Sequence, residues 1–207
     1  MEKLDLSKKY KSYYTAKPKP EIVEIEDAQY LSVTGKGDPS GADFATDIEA
    51  LYSTAYNIKF AFKEQGNDFV VAKLEGLWWY DEGKYGKPSM DDAPKKIPRS
   101  EWEYRLLVRL PEYITEQDVL RSKENVILIK KLQAAHKIEY YTMPAHKAVQ
   151  MMHVGPFDTE PQTLKQIAVF MDEHSMRQGG LHHEIYLSDF RKTAPGKLKT
   201  ILREPIG

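Results

Sequence analysis

The sequence predicts an α+β fold of two tandem strand–helix–strand–strand modules related by a pseudo-two-fold axis. Three observations predict it. Strand-like and helix-like patterns follow one another in the same order in both halves of the 207-residue chain. Glycine and proline mark the changes from one element to the next. The chain is 41% hydrophobic and 29% charged, which is typical of a globular protein. We therefore expect an antiparallel sheet with helices on one face and a ligand groove at the module interface.

The first module is predicted over about residues 21–110. Residues 21–34 alternate and are rich in β-branched and aromatic types, which predicts a strand. A Gly/Pro/Ser loop over 35–41 precedes a helix whose apolar residues recur every three or four positions. These apolar residues are Phe44, Ile48, Leu51, Tyr52, Ala55, Ile58 and Phe62. Strand-like runs at 69–80 and 102–110 complete the module.

The second half repeats this order. Residues 148–154 are strand-like, and Asp158 or Thr159 is the predicted cap of the helix that follows. The apolar face of that helix comprises Leu164, Ile167, Ala168, Phe170 and Met171. Strands are predicted at 183–188 and 199–203.

A connector of helical character, about residues 111–139, joins the two modules. Thr115 to Gln117 resemble a helix start, whereas the run NVILIKKL fits a helix or a strand equally well. The second module then spans about 140–207. Because no flexible linker separates the modules, we expect a single domain over residues 1–207.

Composition limits the classes of partner and of site that the protein can have. The net charge is −1, with 30 basic and 31 acidic residues, so nothing favours nucleic acid as a partner. The chain has no cysteine, which excludes disulfides, thiolate metal sites and cysteine nucleophiles. The N-terminus MEKLDLSKKYKSYY lacks the apolar core of a signal peptide, and no apolar run reaches the roughly 20 residues of a membrane span. We expect a cytoplasmic protein without a membrane or nucleic-acid partner.

The run HHEIYLSD carries the candidate catalytic residues. Strand alternation places Glu184 and Tyr186 on one face and Ile185 and Leu187 on the other. We predict that Ile185 and Leu187 lie under the helix, so that Glu184 and Tyr186 face the groove on the sheet face without helices. The simpler alternative for a lone strand glutamate is a solvated side chain.

All three tryptophans lie in the strands of the first module's predicted hairpin. Trp78 and Trp79 are adjacent on a strand, so only one of them can face the groove. The candidate ligand-binding residues are Trp78, Trp79, Trp102, Tyr104, Phe157 and Met152. The alternative to ligand binding is a structural role in the core, as packed rings for the aromatic residues and as a space-filling side chain for Met152.

The sequence favours neither a metal site nor a cofactor site. His182, His183 and Glu184 are adjacent, but His183 faces away from the other two on a strand, and no cluster supplies further ligands at a recognisable spacing. Walker, HExxH and Gly-x-Ser-x-Gly motifs do not occur. We expect no metal and no cofactor.

The segment LHHEIYLSDFRKTAPGKLKTILREPI, residues 181–206, closely resembles the C-terminal signature of GyrI-like proteins. Three further blocks resemble the same family: LEGLWWYDE (74–82), WEYRLLVRLPEYIT (102–115) and MMHVGPFDTE (151–160). One departure is Phe190, which stands where the family pattern has proline after the Asp.

The resemblance implies tandem modules and a groove that binds lipophilic, often cationic or aromatic, compounds, with Glu184 as its acidic residue. Relatives fused to DNA-binding domains are drug-sensing transcription regulators. Because this chain begins with the domain itself, direct regulation of DNA is not expected. Some stand-alone relatives hydrolyse cyclopropanoid natural products of the duocarmycin and yatakemycin type.

Two functions follow as hypotheses. In the first, the protein is a cyclopropanoid hydrolase in which Glu184 deprotonates water and Tyr186 stabilises the oxygen that gains negative charge. The aromatic slot would be formed by Trp79, Trp102, Tyr104 and Phe157. In the alternative, Glu184 is a counter-charge in a protein that sequesters lipophilic cations without reaction. A third hypothesis is a protein-binding inhibitor resembling family members that affect DNA gyrase.

Overall fold

The computed structural model describes residues 3–207, which form eight strands and six α-helices. The strands are β1 (Glu21–Ile25), β2 (Ala28–Lys36), β3 (Leu74–Trp79), β4 (Glu103–Arg109), β5 (Glu139–Met143), β6 (His146–Val154), β7 (His182–Tyr186) and β8 (Lys199–Ile206). The helices are α1 (Leu6–Lys9), α2 (Ala42–Glu64), α3 (Glu82–Tyr85), α4 (Ala93–Lys96), α5 (Glu116–Lys130) and α6 (Glu160–Glu173). The predicted α+β class is confirmed. No helix within these residues is both long and apolar enough to cross a bilayer.

All eight strands belong to one antiparallel sheet with the order β1-β6-β8-β7-β3-β4-β2-β5. Each half places the strand that follows its long helix, β3 or β7, at the centre of the sheet. The first strand of each half pairs with a strand of the other half: β1 pairs with β6, and β5 pairs with β2. This strand order is the one expected of a tandem repeat, while the pseudo-two-fold relation itself stays a prediction.

The structure differs from the predicted elements at two places and resolves a third that was left open. The predicted strand over 21–34 is divided at Glu26 and Asp27, because β1 and β2 pair at opposite ends of the sheet. The ambiguous run NVILIKKL lies largely in helix α5, which begins with a capping box between Thr115 and Asp118. Strand β5, Glu139–Met143, lies at the start of the second module and has no counterpart among the predicted strands.

Helices α2 and α6 lie on the same face of the sheet, which we name the helix face, and pack in separate clusters. Leu31, Val33 and Leu106 of the sheet pack with the buried side of α2. Val149 and Leu202 pack with the buried side of α6. The two helices therefore cover opposite halves of the sheet and leave the central strands β3 and β7 between them.

The prediction that the other sheet face lacks a cover was wrong. Leu6, Tyr13 and Tyr14 of the N-terminal segment form a buried cluster there with Ile185 and Ile201. We name this the strap face. The face assignment in β7 was consequently also wrong, because Ile185 faces the N-terminal segment and not α2 or α6. Alternation divides a strand into two sets of residues, but packing decides which set the helices cover.

Candidate functional site

The candidate site lies on the helix face, where β3 and β7 run side by side between α2 and α6. Gly76 of β3 is the cross-strand partner of Glu184, and Trp78 is the partner of His182. Because residues two apart on a strand share a face, His182, Glu184 and Tyr186 all lie on this floor. The Glu184 side chain is 13% exposed, so it is neither solvated nor fully enclosed.

Five side chains form a continuous hydrogen-bonded chain through Glu184. The Tyr186 hydroxyl donates to Glu184 Oε2 at 2.6 Å and accepts from Trp78 Nε1 at 3.1 Å. His182 Nε2 lies 3.1 Å from Glu184 Oε1, and its Nδ1 lies 2.5 Å from Glu204 Oε1. Each oxygen of Glu184 is thus held by a neighbour, which fixes the orientation of the carboxylate.

The charges on this chain follow from burial and from its carboxylates. Burial alone would lower the pKa of His182, but the carboxylates of Glu204 and Glu184 outweigh it and hold that pKa well above its usual value. Burial and the charge of Glu184 raise the pKa of Tyr186 well above its usual value. At neutral pH, His182 is therefore an imidazolium between two carboxylates, and Tyr186 is a neutral donor.

Aromatic rings lie on both sides of the hydrogen-bonded side chains. Phe157 meets the Tyr186 ring edge-on, with centroids 5.9 Å apart, and Phe190 lies 6.1 Å from Phe157. On the α2 side, Phe44 stacks on Trp78 with a centroid distance of 5.9 Å. The Phe157 residue is 40% exposed, so this ring forms an outer wall of the site.

The structure brings four of the predicted site residues together with Glu184. Tyr186 and Trp78 bond within the chain, and Phe157 packs on Tyr186. Tyr104 lies deeper, with its ring 5.7 Å from Trp78 and its hydroxyl donating to Asp47 at 3.0 Å. Tyr104 is therefore a buried support for Trp78, and its hydroxyl bonds to Asp47 and not to a residue of the Glu184 floor.

The other three predicted ligand-binding residues lie elsewhere. Trp79 is on the strap face, where its Nε1 donates to Glu103, because alternation turns it away from Trp78. Met152 packs with the buried cluster of the strap face. Trp102 packs edge-on against Tyr80 at the ends of β3 and β4, with centroids 5.2 Å apart.

Two residues of the hydrogen-bonded series, His182 and Glu204, had no predicted role. Alternation did place His182 on the face of Glu184, and this was the available signal. The neighbouring position of Glu204 depends on the register between β7 and β8, in which His183 is opposite Arg203. That register is not readable from a single sequence.

Gly76 is required for the close approach of two rings. A Cβ atom at this position would lie 2.8 Å from Trp78 Nε1 and 3.2 Å from the Tyr186 hydroxyl. We expect Gly76→Ala to disrupt the Trp78–Tyr186 hydrogen bond, to lower the free energy of unfolding by about 1–3 kcal/mol and to weaken ligand binding. Chemical denaturation and ligand titration followed by tryptophan fluorescence measure both effects. Gly196→Ala is the matched control, because a Cβ there meets nothing within 4 Å. Equal behaviour of the two variants would contradict the expectation.

Chemistry, and not empty volume, distinguishes this site. A cavity of about 230 Å³ lies near Tyr10 and Arg109, and one of about 270 Å³ lies near Asp47 and Lys137. Glu184 lines neither of them. In the part of the chain that the structure describes, no group of three or more His, Asp or Glu residues is arranged to hold a metal ion.

Comparison with known proteins gives a family model and several solved structures. The model of the GyrI-like small molecule binding domain matches residues 109–206. No curated protein matches the sequence.

Two solved structures from Listeria innocua are similar over the whole chain. One, described as an uncharacterized conserved protein, is 36% identical, with a TM-score of 0.86 and coverage of 99% of this chain and 100% of that one. Another, described as a hydrolase, is 34% identical, with a TM-score of 0.83 and the same coverage. The C-terminal domain of EcmrR shares the fold at 12% identity and a TM-score of 0.56, with 91% of this chain and 97% of that one covered.

Proposed function

The chain belongs to the GyrI-like family of small-molecule-binding domains, and on that premise we propose that it binds lipophilic aromatic compounds over Glu184 and hydrolyses cyclopropanoid DNA alkylators. The observation that carries the proposal is the oriented Glu184 carboxylate on a mostly buried floor between aromatic rings. A flat ligand would pack against Phe157 and the edge of Trp78. The reaction would protect the cell in the cytoplasm and needs no cofactor.

The proposed reaction adds water to a spirocyclopropyl-cyclohexadienone. A bond forms between the water oxygen and a cyclopropane carbon, a cyclopropane C–C bond breaks, and the dienone carbonyl becomes a phenol. Glu184 is the base that takes the proton from water. The Tyr186 hydroxyl donates to Glu184 at 2.6 Å, so its proposed role changes from stabilising the substrate oxygen to orienting the base.

Similarity supports catalysis in addition to binding. The Listeria innocua protein described as a hydrolase is 34% identical over nearly the whole chain. Identity at this level supports a shared type of activity in addition to a shared fold. A hydrolase of this kind requires a base on the floor of the groove, and Glu184 lies there.

One observation favours the alternative, which is sequestration of lipophilic cations. The His182 imidazolium lies between the carboxylates of Glu184 and Glu204, which leaves one negative charge in excess among these three side chains. A delocalised cation would be attracted by that charge and by the surrounding rings. In this case nothing reacts and binding alone is protective.

The fate of the ligand separates the two proposals. We expect the purified protein, incubated with a duocarmycin-type cyclopropanoid, to yield a phenol whose mass equals that of the substrate plus one water. Mass spectrometry measures the product, and an incubation without protein corrects for spontaneous opening. Recovery of the unchanged compound, together with calorimetric binding of ethidium, would contradict hydrolysis and support sequestration.

A further inference from the structure

A second carboxyl group, Glu160, lies near enough to Glu184 for the two charges to interact, and the proposed function gives it no role. Glu160 is the first residue of α6, yet it is only 8% exposed. Its Oε1 atom is buried and has no hydrogen-bond partner. Three residues earlier in the chain, the Phe157 ring covers Tyr186. The segment from Phe157 to Glu160 therefore lies over the same floor that holds Glu184.

The two carboxyl groups have opposite surroundings. Glu184 receives donors on both oxygens, from Tyr186 and from His182, and these donors stabilise its charged form. Glu160 Oε1 receives none, so nothing at that atom replaces the water that a carboxylate loses on burial. A carboxyl group with one oxygen buried and unpartnered is less costly as a neutral acid than as an anion.

The surroundings of Glu160 also raise its pKa, although the individual charges act in both directions. Burial and the negative charge of Glu184 raise the pKa of Glu160 well above its usual value, although the His182 charge lowers it. The start of a helix also favours an anion, but only weakly. The other titratable groups at this place are Tyr186 of β7, Glu204 of β8, which bonds to His182, and His153 of β6, which bonds to Thr163 of α6.

We propose that Glu160 is the proton donor of the site, that it acts on a carbonyl oxygen of the ligand, and that Glu184 is the matching proton acceptor. The proposal rests on the proposed hydrolysis and defines the substrate class further, as a flat aromatic compound with a carbonyl conjugated to the reacting carbon. Paired carboxyl groups whose environments push their proton affinities apart are a recurring way to supply an acid and a base in one site.

The proton balance closes with these two groups. Glu184 takes a proton from water while the water oxygen bonds to the cyclopropane carbon. The electron pair of the breaking C–C bond moves into the ring and onto the carbonyl oxygen, which takes the proton of Glu160. One water is added, and one proton has moved from Glu160 to Glu184. Exchange with solvent restores both groups.

The test compares wild type, Glu160→Gln, Glu184→Gln and Glu173→Gln between pH 5 and pH 9. Glu173, the last residue of α6, is exposed and supplies the matched control. The rate of phenol formation from a duocarmycin-type cyclopropanoid is measured, together with the affinity for its ring-opened phenol. We expect Glu160→Gln to be about 100-fold slower, with an affinity close to that of wild type.

The pH dependence of the rate shows whether Glu160 acts as an acid or as a base. Because Glu160 acts as an acid, the wild-type rate should fall as pH rises through its raised pKa, and this fall should disappear in Glu160→Gln. An infrared difference spectrum of wild type against Glu160→Gln at pH 7 should show a protonated carboxyl. This second measurement does not depend on turnover.

The outcomes distinguish this inference from the function on which it rests. Wild-type turnover and an unchanged pH profile in Glu160→Gln, while Glu184→Gln is inactive, would overturn the role of Glu160 alone. The absence of a protonated carboxyl band that Glu160→Gln removes would overturn it as well. Failure of wild type to form any phenol would overturn the hydrolysis and the donor role together.

Discussion

Replacing Glu184 by glutamine is expected to slow cyclopropane opening about 100- to 10,000-fold, which is the usual contribution of a general base. Glutamine keeps the size of the side chain, but its amide cannot take a proton from water. The amide also loses the negative charge that faces the His182 imidazolium. Rates of phenol formation under single-turnover conditions measure the effect on the chemical step.

A spectroscopic readout accompanies this rate. The charge of Glu184 is one of the causes that raise the pKa of His182, and Glu204 supplies the other. In Glu184→Gln the titration of His182, followed by NMR, should therefore move to lower pH. Glu24→Gln is the control, because Glu24 also lies on a strand but its side chain is 82% exposed. Undiminished turnover in Glu184→Gln would remove this carboxylate from the mechanism.

The second large effect is expected on the strap face, where Arg203→Met should lower the free energy of unfolding by about 3–5 kcal/mol. Arg203 is fully buried and donates to Gln150 Oε1 and to the Tyr13 carbonyl oxygen. Glu75, also fully buried, accepts from the Tyr13 hydroxyl at 2.5 Å and from His183 Nε2 at 2.9 Å. Loss of the guanidinium would leave Gln150 Oε1 and the Tyr13 carbonyl oxygen without this donor and would remove a positive charge from the cluster around Tyr13 that also holds Glu75.

Guanidinium-induced unfolding measures this effect. Arg99→Met is the control, because Arg99 forms an exposed ion pair with Asp38 that is worth at most about 1 kcal/mol. The double variant Arg203→Met/Glu75→Gln should recover part of the lost stability, since it removes both buried charges. If the double variant is less stable than Arg203→Met, the charge of Glu75 is not the cause of the loss.

The order of the elements could be predicted because each has a local cause. The helix over 42–64 has an apolar face at helical spacing, and α6 has proline in its first turn. The choice between Trp78 and Trp79 could not be made locally. It depends on the pairing of Trp78 with His182, which puts Trp78 on the face of Glu184. That pairing joins residues more than one hundred positions apart.

The residues of the site could likewise be predicted only in part. Glu184 and Tyr186 were identified through alternation and a family signature, but their relation to the helices was reversed. The N-terminal segment, with Tyr13 and Tyr14, occupies the face that was expected to hold the ligand. Glu160 resembles the acidic residue that helix starts commonly carry, so its burial had no signal in the sequence.

The exchange of outermost strands between the halves has a mechanical consequence. Strand β1 hydrogen-bonds to β6, and β5 hydrogen-bonds to β2, so neither half could be pulled away as an intact body. Any force or displacement that reaches β7 in one half is passed through β3 and the exchanged strands to the other. The groove should accordingly widen by bending of one shared sheet, and not by a hinge between two rigid lobes.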